Sequence, residues 1–479
     1  MIVVAVLASA CVKAGTSSKV AEATVDRTKP PELAPPPSLT LPPVVTRTLP
    51  NGLKIVIVEH HELPVADFAL VVRTGGEADP AGQEGLATLT AAMLDEGTTT
   101  RNALQIADQE AYLGARLRST SGWDGSIVSL HVPTAQLDSA LALFADVALH
   151  PAFPAADLER LRAERLTDLL QLTDRGPAIA NRAYDAILFG ANDPYGHPLE
   201  GTEASTKAIT RDDVQHFYDT YFRPNNATLI VVGDVRPDDV QRRAQALFGG
   251  WSRASVPQVS FGDPAPAHPT TIYLIDKPGA PQSSVRMGSV GVARTTPEYF
   301  PILVMNSILG GPFTSRLNQN LRETHGYTYG AFSSFSMRRA AGPFTALAEV
   351  VASKTDSSLL QFMAELKAIR DTVPTPELTK AKQYLELQLP ARFETTSGIA
   401  NQLVPLVLYD LPLDFYNTYV QHIEGVTQHD VQQVAEQYID PTHLTIVVVG
   451  DRSHIEPGIA RTHLGPISLR DLTGAPIQP

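Results

Sequence analysis

The sequence has little cysteine and lacks a long apolar run. Of its 479 residues only Cys11 is a cysteine, which excludes disulfides and thiolate metal sites within the chain. Beyond residue 11 no stretch reaches the roughly 20 apolar residues that cross a bilayer as a helix. Hydrophobic residues nevertheless make up 43% of the chain, so the sequence predicts sizeable folded cores rather than disorder.

Positive charge is also in short supply. The 38 Lys and Arg residues are outnumbered by 51 Asp and Glu residues, which gives a formal net charge of −13 at pH 7. Proteins that bind nucleic acid neutralise its phosphates with basic patches, so this balance excludes nucleic acid as the main partner. It is compatible with peptide substrates but does not select them. The length of the chain predicts two to four domains.

The N-terminus carries a short apolar segment followed by a proline-rich one. Residues 2–10 are apolar or small and end in Ala-Ser-Ala before Cys11, a pattern typical of the end of a secretory signal. Residues 1–11 also resemble a bacterial lipobox, in which Cys11 would be acylated. An ordinary apolar N-terminus with an incidental cysteine is the alternative. Residues 12–43 contain KPPELAPPPSLTLPP, and this proline density predicts a semi-rigid extended tether.

A repeat sets the predicted organisation. Residues 209–234 (ITRDDVQHFYDTYFRPNNATLIVVGD) and 426–451 (VTQHDVQQVAEQYIDPTHLTIVVVGD) align without a gap. Each copy predicts a helix, a break at a proline and a buried strand that ends in Gly-Asp. We therefore expect two related modules joined by a proline-rich linker and followed by a tail. The predicted segments are the first module at 44–252, the linker at 253–268, the second module at 269–455 and the tail at 456–479.

Strand and helix patterns mix along both modules. Strand-like runs such as LKIVIVE and TIYLIDKPG open the two modules, and helical stretches such as AADLERLRAERLTDLLQL follow them. The order does not alternate strictly between strand and helix. It therefore predicts an α+β fold rather than a doubly wound parallel sheet.

One helical segment has the outline of a catalytic helix without its chemistry. The stretch GLATLTAAMLDEGTTT occupies residues 85–100. Its apolar positions follow a helical spacing: Leu86, Leu89, Met93 and Leu94. The other face presents Thr88, Ala91 and Ala92, which offer neither a good metal ligand nor a group that transfers a proton.

The order of motifs across residues 44–455 resembles the insulinase/pitrilysin family of zinc metallopeptidases. The resemblance implies two homologous modules of mixed, mainly antiparallel sheet packed with helices. In active members this helix carries His-x-x-E-H, whose two histidines bind zinc and whose glutamate is the general base. The histidine positions correspond to Thr88 and Ala92, the base to Ala91, and a downstream carboxylate ligand falls near Asp168. The resemblance therefore implies no zinc and no peptidase activity in this chain alone.

A second family feature is kept. Residues 309–332 read LGGPFTSRLNQNLRETHGYTYGAF, and the family carries an Arg and a Tyr at the spacing of Arg322 and Tyr329, where they contact substrate. An Arg offers fixed donors to a carbonyl or carboxylate, and a Tyr hydroxyl can donate to an oxyanion. Without the family, Arg322 could simply pair with Glu323 and Tyr329 could be a core aromatic.

The resemblance implies a function shared between two chains. In two-chain members one chain carries zinc and the other carries the Arg/Tyr pair. We therefore expect a non-catalytic subunit that binds a peptide or unfolded protein and supports the metalloendopeptidase activity of a zinc-bearing partner. The family binds substrate as a strand added to a sheet edge, for which ARLRSTSGWDGSIVSLHV is the matching region here and Ser119 to Gly125 its exposed end. An ordinary edge strand with glycine-rich ends is the alternative for this segment. With the lipid anchor at Cys11, the expected location is the periplasmic side of the bacterial envelope.

Two other functions stay open at this stage. One is a structural or peptide-binding protein that kept the fold and lost proteolysis. The other is an active peptidase whose metal ligands the sequence does not reveal. The retained Arg322 and Tyr329 favour the subunit, because a pure scaffold would not need them.

Overall fold

The computed structural model describes residue 28 and residues 41–262 and 268–477. The predicted signal segment with Cys11 lies outside these residues, as does most of the tether. The strands of the described part form two six-stranded sheets. They are β1 (Val44–Thr48), β2 (Lys54–Glu59), β3 (Val65–Val72), β4 (Arg116–Ser121), β5 (Ser126–Pro133), β6 (Ala227–Gly233), β7 (Thr271–Asp276), β8 (Gln282–Val290), β9 (Thr328–Phe335), β10 (Pro343–Val351), β11 (Thr445–Gly450) and β12 (Ile467–Arg470).

The two sheets share one topology over five of their six strands. The first has the order β1-β2-β6-β3-β5-β4 and the second β12-β7-β11-β8-β10-β9. Strands β2 and β6 are parallel, as are their counterparts β7 and β11, and β12 is parallel to β7. The other pairs are antiparallel. The predicted α+β fold with mixed, mainly antiparallel sheets is confirmed.

Helices cover both sheets. They are α1 (Leu86–Ala92), α2 (Ala103–Leu113), α3 (Leu137–Leu149), α4 (Ala155–Leu172), α5 (Gly176–Phe189), α6 (Glu203–Ala208), α7 (Arg211–Tyr221), α8 (Pro237–Phe248), α9 (Tyr299–Leu309), α10 (Arg316–Asn318), α11 (Thr355–Ala368), α12 (Thr375–Gln388), α13 (Thr396–Leu408), α14 (Tyr419–Gly425), α15 (Gln428–Tyr438) and α16 (Arg452–Arg461). Within the described ranges, no helix combines the length and the apolar character that crossing a bilayer requires.

The repeat found in the sequence is visible in the helix–strand units. Helices α7 and α15 both begin with a capping box, in which Thr210 pairs with Asp213 and Thr427 with Asp430. Such a box satisfies two of the free N–H groups at a helix start. The strands that follow, β6 and β11, are buried along their whole length. Each copy therefore forms the predicted helix, break and buried strand.

Each half of the chain covers the sheet of the other half. Because β6 and β11 are apolar on both faces, each sheet needs helices on both sides. One face packs against helices of its own half. The other face of the first sheet receives α13, and that of the second receives α5. Residues 41–262 and 268–477 consequently belong to one compact unit, and the predicted module boundaries stay a prediction.

The end of the chain differs from the expected tail. Helix α16 runs across the predicted boundary at residue 456, and β12 extends the second sheet by pairing with β7. The sequence concealed both elements. Pro457 lies inside the helix, where proline is normally excluded, and β12 has only four residues. The linker has neither helix nor strand at residues 253–262 and 268.

Candidate functional site

Helix α1 is fastened to the core of the first half. Leu86 and Leu89 on the helix, and Met93 and Leu94 just after it, belong to the main hydrophobic cluster beneath the first sheet and are nearly fully buried. Burying an aliphatic side chain of this size contributes about 1.5–3 kcal/mol. The helix is therefore kept by its apolar face, whatever its other face carries.

Two charged side chains hold the start of α1. The Asp79 carboxylate accepts from the backbone N–H of Gly85 (2.7 Å) and of Ala87 (2.8 Å), and Arg165 Nη1 donates to Gly85 O (2.7 Å). Gly85 has φ +89°, a left-handed conformation that favours glycine. Burial raises the pKa of Asp79 to about 7 despite the two hydrogen bonds that lower it. Sequence reasoning missed this pair because its members lie far apart in the chain.

The face of α1 that would carry chemistry is closed. Thr88 Oγ1 donates to Gly85 O (2.9 Å) and to Leu199 O (3.3 Å). Ala91 is buried and Ala92 is half-buried, and neither has a polar side-chain atom. Asp168 lies exposed on α4, so the carboxylate nearest the predicted ligand position points to solvent while Arg165, three residues earlier, binds the start of α1.

The outer edge of the first sheet is open beside α1. Strand β4 is an edge strand and contacts α1. The Leu117 N–H donates to Glu110 Oε1 (3.0 Å), which shows that it points away from β5. Alternation along a strand gives Ser119 and Ser121 the same outward direction. Among the described residues, none bonds the outward backbone groups of Ser119, whose Oγ also lacks a hydrogen-bond partner.

The equivalent edge of the second sheet is closed by its own chain. On β9, Ser333 N donates to Gly310 O (2.9 Å) and Ser333 O accepts from Asn306 Nδ2 (3.0 Å). Ala331 N donates to Asn318 Oδ1 (3.2 Å). Free strand edges attract further strands and are commonly covered. The contrast with β9 makes the open backbone of β4 a candidate binding edge.

Arg322 lies in an unusual helical turn. Residues Gln319–Thr324 form a short π-helix, with His325 N donating to Asn320 O (3.1 Å). Turns of this kind are rare in proteins, and those that occur are often found at functional sites. Arg322 Nη1 lies 3.4 Å from Glu323 Oε1, as the alternative reading expected. Within the described part of the chain, its guanidinium nevertheless makes no hydrogen bond.

Tyr329 stands on β9, close after this turn, and its side chain is free to make contacts. It is 88% exposed, which excludes the alternative of a core aromatic. The turn and the strand therefore present an arginine with unused donors and a tyrosine hydroxyl on consecutive segments.

A buried acidic cluster ties the β4–β5 turn to the second half. Asp124 in this turn accepts from the hydroxyls of Tyr195 (2.5 Å) and Tyr409 (3.0 Å) and from Arg339 N (2.9 Å). Arg339 Nη2 also donates to Asp124 O (2.8 Å). Hydrogen bonds to a charged group are stronger than neutral ones. Asp124 thereby fixes one end of the open edge strand, and no sequence motif indicated it.

Glu77 is the most deeply buried acid near this cluster. Its side chain is fully buried, accepts from Gly75 N (2.8 Å) and lies 3.7 Å from Arg339 Nη1. Gly75 has no room for a side chain, since a Cβ would meet Gly122 O at 2.2 Å. Burial raises the pKa of Glu77 from 4.5 to about 8, although the Arg339 charge opposes the shift.

The raised pKa of Glu77 predicts how stability changes with pH. The folded state holds a proton that the unfolded chain has already released between pH 4.5 and about 8, so this carboxyl lowers stability as pH rises through that window. Asp79 titrates near 7, so the interval above pH 7 reports mainly on Glu77. We expect Glu77→Gln to flatten the fall in unfolding temperature between pH 7 and 8.5. Glu203→Gln, which changes an exposed carboxylate, is the control and should follow the wild-type curve. If the unfolding temperatures of wild type and Glu77→Gln fall in parallel between pH 7 and 8.5, this prediction is wrong.

Two family models match the chain. The model described as Insulinase (Peptidase family M16) matches residues 54–202, and the model described as Peptidase M16 inactive domain matches residues 208–385. Together they cover well over half of the sequence. The chain belongs to the insulinase family.

Several relatives span most of this insulinase-family chain. An uncharacterized zinc protease of Mycobacterium leprae is 26% identical over 406 residues, covering 83% of this chain and 89% of that protein. A non-peptidase homolog of Helicobacter pylori is 23% identical over 406 residues, covering 84% and 93%. The crystal structure of a peptidase M16 inactive domain from Pseudomonas fluorescens has a TM-score of 0.80 at 27% identity, covering 85% of this chain and 98% of that one. The chain has the fold of inactive members of this family, which is consistent with a non-catalytic member.

The residues at the insulinase zinc position do not fit the metal. Zinc sites are built from imidazole, thiolate and carboxylate ligands. Here the helix offers a threonine hydroxyl that is bonded to backbone, and two alanines. Across residues 41–262 and 268–477, no group of three or more His, Cys, Asp or Glu side chains could hold a metal ion. No chemical step through zinc is therefore assigned to this chain.

This donor set leads to a direct expectation for metal content. Purified chain freed of any metal-binding tag should contain far less than one zinc ion per molecule. A chelator should leave its unfolding temperature unchanged, because a metal that binds only the folded state would raise that temperature. The measurement is elemental analysis combined with thermal unfolding. If the chain holds close to one tightly bound zinc ion, this prediction is wrong and the hypothesis of an active peptidase is favoured.

Proposed function

We propose that the chain is the substrate-binding subunit of a two-chain insulinase-family peptidase whose other chain carries zinc. The observation that carries this proposal is Arg322, whose guanidinium makes no hydrogen bond to any described residue and which lies in the turn just before the strand of exposed Tyr329. An arginine fork and a tyrosine hydroxyl are suited to hold a peptide carbonyl and to stabilise a developing oxyanion. This chain has those groups but lacks the metal and the general base, which the partner would supply.

The open edge of β4 supplies the main-chain part of the binding. An extended peptide that adds to a sheet edge gains backbone hydrogen bonds without requiring a particular sequence. The outward backbone of Ser119 is available for this, and Asp124 holds the adjoining turn in place. The substrate class is therefore an extended peptide or an unfolded protein segment.

Co-expression with a His-x-x-E-H chain of the same organism tests this function. We expect a one-to-one complex by size-exclusion chromatography with light scattering. The complex should cleave fluorescein-labelled, reduced and carboxymethylated α-lactalbumin, a permanently unfolded chain, much faster than either chain alone. If this chain binds the labelled protein while the partner cleaves equally well without it, the alternative of a peptide-binding protein without proteolysis takes over.

The envelope location is a separate part of the proposal. It rests on the apolar residues 2–10, on Cys11 and on the proline-rich tether that follows. Acylation of Cys11 would hold the protein at a membrane. Stable anchoring by lipid usually needs more than one acyl chain or a second membrane-binding signal. We expect wild-type protein to incorporate labelled palmitate in bacterial cells and to sediment with membranes. Cys11→Ser should lose both properties, and equal labelling of the variant would refute the anchor.

A further inference from the structure

Phe313 is an exposed aromatic that lies directly beneath Arg322. It sits in the loop between α9 and α10, and its side chain is 51% exposed. The guanidinium carbon of Arg322 is 4.0 Å from the centre of the Phe313 ring. A cation over an aromatic face at this distance is held by the ring's electrons.

The Phe313 ring and Glu323 are the two partners that the Arg322 guanidinium has among the described residues. The guanidinium makes no hydrogen bond to any described residue, and the ion pair with Glu323 involves only Nη1, at 3.4 Å. A contact between a cation and a ring face is made through the charge, so it occupies none of the N–H donors of the guanidinium. The ring therefore helps to hold the guanidinium in place without using its donors in hydrogen bonds.

The loop that carries Phe313 is tied to the strand that carries Tyr329. Asn318 is fully buried, and its Nδ2 donates to Phe313 O (2.6 Å). Its Oδ1 accepts from Ala331 N (3.2 Å) on β9. A buried side chain that satisfies both its donor and its acceptor in this way holds its neighbours rigidly. Asn318 thus connects the loop of Phe313, which contacts Arg322, to the strand that carries Tyr329.

We propose that Phe313 is a positioning residue, which holds the Arg322 guanidinium over its ring, in the place needed to bind a carbonyl or carboxylate oxygen of the peptide. The inference rests on the proposed function and adds to it a residue that acts through Arg322. It does not require Phe313 to touch the peptide.

A double-mutant cycle tests this role. The affinity for labelled unfolded α-lactalbumin is measured by fluorescence anisotropy on the full chain and on Phe313→Leu, Arg322→Ala and the double variant. Leucine keeps apolar volume but removes the ring face. We expect Phe313→Leu to weaken binding about threefold to tenfold, a range typical of a partly exposed cation–ring contact. In the Arg322→Ala background the same change should alter binding less than twofold. Phe313→Tyr, which keeps the ring, should bind like wild type.

The possible outcomes separate this inference from the proposed function. If Phe313→Leu weakens binding equally in both backgrounds, Phe313 contacts the peptide itself and the positioning role is wrong. If Arg322→Ala weakens binding but Phe313→Leu does not, the inference is wrong and the proposed function stands. If Arg322→Ala leaves both binding and cleavage unchanged, both the inference and the role of the Arg/Tyr pair fail. Equal unfolding temperatures show that all variants fold alike.

Discussion

A Ser119→Pro variant is expected to fold normally and to lose most of its affinity for unfolded protein. The Ser119 N–H faces away from β5, so proline removes no hydrogen bond of the sheet. Proline is tolerated on edge strands for this reason. A peptide added to β4 would lose a backbone donor, and leaving its carbonyl unpaired costs about 1–3 kcal/mol. Affinity for labelled unfolded α-lactalbumin should therefore fall about tenfold to a hundredfold.

The controls for this variant come from the same strand and its counterpart. Ser119→Ala keeps the backbone and removes only a hydroxyl that has no partner, so its affinity should equal that of wild type. Ser333→Pro on β9 removes an N–H that donates to Gly310, so it should lower the unfolding temperature. If Ser119→Pro binds as tightly as wild type, peptide does not add to β4.

Features with a strong local signal could be predicted from the sequence. The threonine–aspartate capping pairs at Thr210 and Thr427 indicate the starts of helices α7 and α15. Strands β6 and β11 are continuous apolar runs that end in Gly-Asp. Helix α1 was predictable because its apolar residues have helical spacing. The left-handed conformation of Gly85 at its start was not indicated by any sequence pattern. These signals are confined to about ten residues each, which is the range over which periodicity is informative.

The exchange of α5 and α13 between the halves was beyond the sequence. An amphipathic pattern shows that a helix has an apolar face, but it does not show which sheet will cover that face. Ile179 and Tyr184 on α5 look like residues of the first module and pack against the second sheet. Ile399 and Leu403 on α13 do the reverse. A repeat therefore predicted two similar sheets without predicting that they depend on each other.

The candidate site shows the same division between local and distant signals. Arg322 and Tyr329 were found by their spacing, and the structure adds that the guanidinium lies over Phe313. Asp79 and Arg165 meet at Gly85 from opposite directions in sequence, and Asp124 collects donors from three distant segments. Charged residues at the surface and in a buried cluster look alike in a sequence, because only the fold decides which are desolvated.

An Arg322→Ala variant is expected to bind unfolded protein about tenfold more weakly and to slow cleavage by the reconstituted complex by about 10²–10³-fold. A hydrogen bond from a charged donor contributes about 1.5–3 kcal/mol, which accounts for the loss of affinity. Removing a donor that stabilises a developing oxyanion costs about 2.7–4 kcal/mol, which accounts for the larger loss of kcat/KM. Arg322→Lys should recover only part of either, since an ammonium lacks the planar fork.

The fold should not change in this variant, because the guanidinium makes no hydrogen bond to any residue that the structure describes and its ion pair with Glu323 is partly exposed. Exposed ion pairs contribute about 0–1 kcal/mol, so the unfolding temperature should shift little. Arg242→Ala provides a matched control, as Arg242 is 74% exposed on α8, far along the chain from the Arg/Tyr pair. Equal losses of cleavage in Arg242→Ala and Arg322→Ala would indicate a general effect of charge. A loss confined to Arg322→Ala, with kcat falling more than affinity, would indicate that the guanidinium acts at the reacting carbonyl.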